Sequence, residues 1–203
     1  GRPRQRTRTA VEWRDSVPKD QNFLVYGAGG GGIGMSALLL ARGLGARVAV
    51  VDVVPDKLAE AARLGADATI DARDGDPAAA VRAVTGGGAD VAVEALGRTE
   101  TAANALKSLR KLGRMVQVGM PAGAHVTMAL PMDAVYAGQL ALFGTRGMPA
   151  WRYPSLLSFI EGAGLDLSPL VTRRVALSGA SSELAAFDGP TPPGIAVITD
   201  FRG

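Results

Sequence analysis

The run Gly27-Ala28-Gly29-Gly30-Gly31-Gly32-Ile33-Gly34, set directly after the apolar stretch Phe23-Leu24-Val25-Tyr26, constrains this chain more than any other feature. A strand that runs into so many glycines must turn sharply and bring bare backbone close to something. The next segment, Met35 to Leu44, is nearly all apolar and closes on Gly45, so it reads as a helix with a left-handed glycine cap. Arg47-Val48-Ala49-Val50-Val51-Asp52 follows as a second strand, and its unbroken Val/Ala run predicts burial on both faces. Strand, glycine turn, helix, strand and terminal acid form one β-α-β unit.

Within that unit Gly29, Gly31 and Gly34 occupy the three positions of the dinucleotide fingerprint G-x-G-x-x-G, with Gly32 and Ile33 between them. The first glycine allows the tight turn, the second admits a pyrophosphate to the backbone, and the third lets the helix pack on the strand. The Gly27 to Gly32 register fits as well. The later one is preferred because it sets the last glycine at the helix start. A diphosphate would then face unpaired N–H groups and the positive end of the helix dipole. Asp52 is placed to accept hydrogen bonds from the adenosine ribose hydroxyls, its alternative role being to cap the next helix. No arginine follows it, since Val53 and Val54 hold those places, and this favours NAD over NADP. A glycine motif alone would be no more than a flexible turn; the β-α-β context makes it a dinucleotide site.

The alternation continues. Pro55 opens a helix that runs through Leu58, Ala61, Ala62 and Leu64 to Gly65, followed by a short strand Ala68-Thr69-Ile70. Pro77 to Val84 reads as helical and Asp90-Val91-Ala92-Val93-Glu94 as a strand. Ala102, Ala105, Leu106 and Leu109 make a helical stripe that Gly113 ends, with Met115 to Val118 the fifth strand and Gln139 to Phe143 the sixth. Strands and helices in strict alternation predict an α/β protein with a doubly wound six-stranded parallel sheet, the Rossmann fold. Residues 1–22 read as a basic leader and linker and residues 23–148 as the dinucleotide-binding domain. From about Met148 the pattern changes: a helix near Tyr153 to Ile160, then Leu170 to Val175, Ser181 to Phe187, and a last strand at Ile195 to Ile198. Residues 149–203 therefore read as a segment belonging to something other than the sheet.

Charge and cysteine usage narrow the function classes. The first 20 residues hold six cations against three anions and so account for the whole net charge of +3. A basic tail on a neutral body is a solvated leader rather than a nucleic-acid surface, so no nucleic-acid partner is expected. No apolar run reaches the roughly 18 residues that a membrane span needs, and a cytoplasmic location is expected. With no cysteine, the chain has neither disulfides nor thiolate metal ligands.

The sequence becomes familiar at Gly31-Gly32-Ile33-Gly34-Met35-Ser36-Ala37, Gly45-Ala46-Arg47-Val48 and Asp52, which resemble medium-chain dehydrogenases. Asp56-Lys57-Leu58, Leu64-Gly65-Ala66-Asp67, Glu94-Ala95-Leu96-Gly97, Leu109 to Arg114 and Val116-Gln117-Val118-Gly119 continue the likeness. Phe143 to Met148 and Arg152-Tyr153 are most similar to bacterial zinc-dependent alcohol dehydrogenases, and the resemblance covers roughly residues 17–203. It implies that Lys57 approaches the adenosine ribose beside Asp52 and that Ala95, Leu96 and Gly97 lie along the cofactor. It also implies that Val118, Gly119 and Met120 contact the nicotinamide, with Gly144, Thr145 and Arg146 closing from the last strand. The implied reaction is hydride transfer between a small alcohol or aldehyde and NAD(H), and the implied association is a homo-oligomer paired through the sixth strand.

Two departures stand out. The glycine loop is two residues longer than the family's. The family also carries its zinc ligands and proton relay in an N-terminal catalytic domain, which about 20 residues ahead of the first strand do not supply. Zinc is thus expected only in that missing domain. The only histidine, His125, is expected to be a lone loop residue. Rival readings are a zinc-free quinone or enoyl reductase of the same superfamily, and a non-catalytic dinucleotide-binding module. A methyltransferase shares the glycine loop and acid, but the sixth strand and Val118-Gly119-Met120 fit a nicotinamide half-site better.

Overall fold

The structure is a computed structural model that describes residues 21–27, 32–186 and 194–202. Six strands form one wholly parallel sheet: β1 (Asn22–Tyr26), β2 (Arg47–Asp52), β3 (Ala68–Asp71), β4 (Ala89–Glu94), β5 (Leu109–Gln117) and β6 (Ala141–Gly144). Their spatial order is β3-β2-β1-β4-β5-β6. Helices α1 (Ile33–Gly43), α2 (Pro55–Arg63), α3 (Pro77–Thr85), α4 (Thr99–Lys107) and α5 (Met132–Gly138) make the crossovers. The doubly wound sheet expected from the alternation is the architecture found.

Each central strand sends alternate side chains to opposite faces, as the pleat requires. Leu24, Tyr26, Ala49, Val51, Ala92 and Met115 meet Val81 of α3 and Ala102, Ala105 and Leu106 of α4. Val25, Val48 and Val50 meet Met35, Leu38, Leu39 and Ala41 of α1 and Ala61 of α2. The Val/Ala runs are thus buried on both sides because both faces carry helices. Local chemistry sets the helix ends. Asp76 accepts hydrogen bonds from the N–H groups of Ala78 and Ala79 at the start of α3, and Pro77 occupies its first turn.

Several expected boundaries differ. Asn22, assigned to the linker, is the first residue of β1, and the fifth strand ends at Gln117 rather than Val118. Leu109 ends no helix: α4 stops at Lys107, and Leu109 already pairs with Ala89 as the first residue of β5. Gly113 lies inside that strand rather than terminating a helix. It sits where the register slips between Ala89 and Val91, and a Cβ there would lie 2.9 Å from the Arg110 carbonyl oxygen. The sixth strand begins at Ala141, not Gln139, because a short helix precedes it. Gln139 is the left-handed C-cap of α5 with φ 50°, and Leu140 donates its N–H to the Val135 carbonyl.

Beyond the sheet, α6 (Tyr153–Gly162) packs Phe159 beside Gly43 of α1. The strands β7 (Val171–Ala176) and β8 (Ile195–Asp200) pair in parallel as a separate two-stranded sheet, and α7 (Ala180–Ala185) lies between them in sequence. Phe187, expected to end that last helix, lies outside the described residues. Leu167, Leu170 and Ile195 join the apolar cluster on the α1 side, so the C-terminal pieces contact the main domain although they add nothing to its sheet.

Candidate functional site

The strand order reverses between β1 and β4, and there the loops after the two strands leave for opposite faces and open a crevice at the carboxyl edge. Gly27 and Leu96 meet across it. Gly27 takes φ +89°, and a Cβ on it would fall 2.5 Å from Leu96 Cγ, so any other residue would need both a left-handed backbone and a displaced Leu96 side chain. Gly32 is the N-cap of α1 in the left-handed region, and Gly34 is buried in the first turn beside the half-exposed Ile33. The expected Gly29 and Gly31 lie outside the described residues.

Asp52 closes β2 next to Gly27, whose N–H donates to the Val51 carbonyl. Its side chain is 7% exposed, and its Oδ1 accepts hydrogen bonds from the N–H groups of Val53 (2.8 Å) and Val54 (3.0 Å). These bonds hold the carboxylate at the mouth of the β2–α2 turn. Asp52 does not cap α2, whose N-cap is Val54 with no side-chain cap, because these bonds end on the two residues ahead of the helix. Asp71, opposite Asp52 on β3, is bonded by Arg73, which brings its pKa down to about 2. The two arginines next downstream of Asp52, Arg63 and Arg73, are committed to other carboxylates, Glu60 and Asp71. Lys57 lies in the first turn of α2 and lines a cleft of about 220 Å³ with Met35, Leu170, Thr172 and Gly194. Glu60, on the same wall, is held below the usual carboxylate range by its bond to Arg63.

The remaining candidates converge. Gly97 has φ +78°, and a Cβ there would lie 2.2 Å from the Met120 carbonyl oxygen. A Cβ on Gly119 would lie 2.2 Å from the Gly97 nitrogen. Ala95–Gly97 and Val118–Met120 therefore touch backbone to backbone. Thr145 donates its N–H to the Gln117 carbonyl at 3.1 Å, which sets Gly144 and Thr145 beside the start of the second strip. Arg146 is exposed.

Glu94 reads from the sequence only as a strand end and as part of a likeness, not as a site residue, yet it organises this corner. It is fully buried, and its carboxylate accepts from the N–H groups of Leu96 (2.9 Å) and Gly97 (2.8 Å), the Thr101 hydroxyl (2.7 Å) and the Gln117 side-chain amide. An acid closing a Val/Ala run at the end of a strand was the available signal, the same one that marks Asp52. His125 does more than occupy a loop: its Nδ1 accepts the Thr99 N–H at 3.2 Å and so caps α4.

No group of three or more potential ligands that could hold a metal ion occurs among the described residues. The whole chain has no cysteine and one histidine, so its donors do not fit a tetrahedral zinc site.

The zinc-binding dehydrogenase family matches over residues 32–162, well over half of the chain. The chain belongs to this family. Erythritol/L-threitol dehydrogenase of Mycolicibacterium smegmatis is 34% identical over 170 residues, covering 83% of the chain and 46% of that relative. A probable alcohol dehydrogenase of Mycobacterium tuberculosis is 32% identical over 198 residues, covering 93% and 54% respectively. A solved NAD-dependent alcohol dehydrogenase superposes with a TM-score of 0.74 at 30% identity, over 89% of the chain and 52% of the other. The chain spans about half the length of the curated relatives it matches. Among the described residues, no helix of this family member is long and apolar enough to cross a membrane.

Proposed function

We propose that this chain is the NAD(H)-holding half of an alcohol dehydrogenase-like oxidoreductase, with zinc and its ligands supplied by the other half. The observation that carries the reading is Asp52, fixed by two backbone N–H groups at the end of β2 beside the β1–β4 crevice. Its carboxylate accepts hydrogen bonds from the adenosine ribose, with Lys57 nearby. The glycine turn, from Gly29 through Gly31 and Gly32 to Ile33 and Gly34, admits the diphosphate to the N-terminus of α1. Ala95–Gly97 and Val118–Met120 flank the nicotinamide, and Gly144–Arg146 close the end nearest β6. When bound, NAD supplies the hydride acceptor for a small alcohol, or NADH the donor for an aldehyde. This chain's residues bind and orient the cofactor, and residues 149–203 dock against the other half. The NAD-dependent name of the neighbour at 30% identity supports the cofactor assignment.

The test is fluorescence titration of the purified chain with NADH, together with metal analysis and an alcohol-oxidation assay. The expected result is weak NADH binding, no bound zinc and no alcohol-dependent reduction of NAD. Zinc-dependent alcohol oxidation by this chain alone, or no NADH binding at all, would overturn the proposal.

A further inference from the structure

A buried carboxylate is strongly unfavourable unless its lone pairs are filled. Glu94, with no exposed surface, is filled by donors from three different elements. Leu96 and Gly97 donate from the loop after β4, Thr101 from α4, and Gln117 from the last position of β5. The Gln117 amide also donates to the Gly119 carbonyl at 2.9 Å, and the Glu94 backbone carbonyl accepts from Val118 (2.9 Å) and Gly119 (2.8 Å). Both cleft-lining strips are therefore tied to one residue.

We infer that Glu94, acting through Gln117, is the positioning residue that holds Ala95–Gly97 and Val118–Met120 as one rigid wall for the nicotinamide side of the cofactor. This rests on the NAD(H) reading above. Loops that follow strands are ordinarily the mobile part of such a domain. Here four donors converge on one carboxylate, and the glycine contacts leave the strips no room to slide. A wall ordered before binding spares the ligand that ordering penalty. The requirement is for a carboxylate rather than an amide. A carboxylate only accepts, whereas a glutamine would turn an NH₂ group toward the Gly97 N–H or the Gln117 amide.

The test compares NADH with ADP-ribose, which lacks the nicotinamide, on the 203-residue chain. Glu94→Gln should weaken NADH about tenfold while moving ADP-ribose by less than about twofold, since each tenfold is 1.4 kcal/mol of binding. Gln117→Leu keeps the Glu94 bonds to Leu96, Gly97 and Thr101 and the backbone bonds to Val118 and Gly119, but removes the side-chain tie to the second strip. It should show the same selective loss, about threefold to tenfold, and it decides alone if Glu94→Gln does not fold. Equal loss of both ligands, or no loss of either, would make Glu94 a general structural residue and overturn the inference. If the unaltered chain binds neither ligand, the NAD(H) reading fails and carries the inference with it. If it binds both, that reading stands and only the variants decide.

Discussion

Gly97→Ala isolates how tightly the two strips are packed. Two penalties act at this position. The backbone lies at φ +78°, where a residue with a Cβ is disfavoured by about 1–2 kcal/mol. The new methyl would also stand 2.2 Å from the Met120 oxygen, 2.5 Å from the Met120 carbonyl carbon and 3.0 Å from the Pro121 nitrogen. All three are backbone atoms, so no side chain can swing away, and overpacking of this kind costs about 1–3 kcal/mol. The sum is about 2–5 kcal/mol. Gly86, the C-cap of α3, supplies the control: its φ is +70°, and nothing lies within 4 Å of its added Cβ. Gly86→Ala therefore carries the backbone penalty alone, about 1–2 kcal/mol. Urea unfolding monitored with an unchanged slope reads both differences. In thermal unfolding each kcal/mol lowers Tm by about 2–4 °C for a chain of this size. NADH affinity should fall in Gly97→Ala and hold in Gly86→Ala. Equal destabilisation by the two substitutions would show that the Gly97–Met120 contact yields freely, and the reasoning would fail.

Burial raises the pKa of Tyr26 from its ordinary 10 to about 12. Its hydroxyl donates to Ser108 Oγ, since that oxygen's own proton goes to the Asn104 carbonyl. A raised folded-state value means stability is full below pH 10 and is lost as pH climbs toward 12, by about 2–3 kcal/mol. Tyr26→Phe should lose about 1 kcal/mol at neutral pH and show none of that alkaline decline in denaturant titrations. Asp52 should make NAD preferred over NADP by at least about a hundredfold, because a 2′-phosphate at about 4 Å is repelled by roughly 4 kcal/mol per unit charge. Asp52→Asn should narrow that preference at least about tenfold by calorimetry, and equal affinities in the unaltered chain would show that Asp52 is misassigned. The edge strand β6 exposes Leu142 at 45% and Phe143 at 53%, so we expect self-association along it, with Phe143→Lys restoring a 20.8 kDa monomer by light scattering. A monomer before substitution would remove that expectation.

Sequence alone settled what depends on near neighbours. The Val/Ala runs of β2 and β4, the glycine turn after Tyr26, Pro55 and Pro77 at helix starts and the acid at position 52 all act within a few residues. They specified the strand–helix alternation, the parallel sheet and the Asp52 position. The tertiary structure decided what depends on residues far apart in the chain. Leu109 continues a helical spacing, yet it enters a strand because Ala89 stands ready to pair with it. Gln139 carries no signal of a left-handed cap; it adopts one where α5 must turn so that Leu140 reaches the core. Glu94 looks like any strand-ending acid until the fold brings Thr101 and Gln117 to its two oxygens, seven and 23 residues away. Periodicity reports which face of an element is apolar. Only the packed chain determines which distant donor fills a buried acceptor, because that pairing is set by the geometry of the sheet and not by spacing along the sequence.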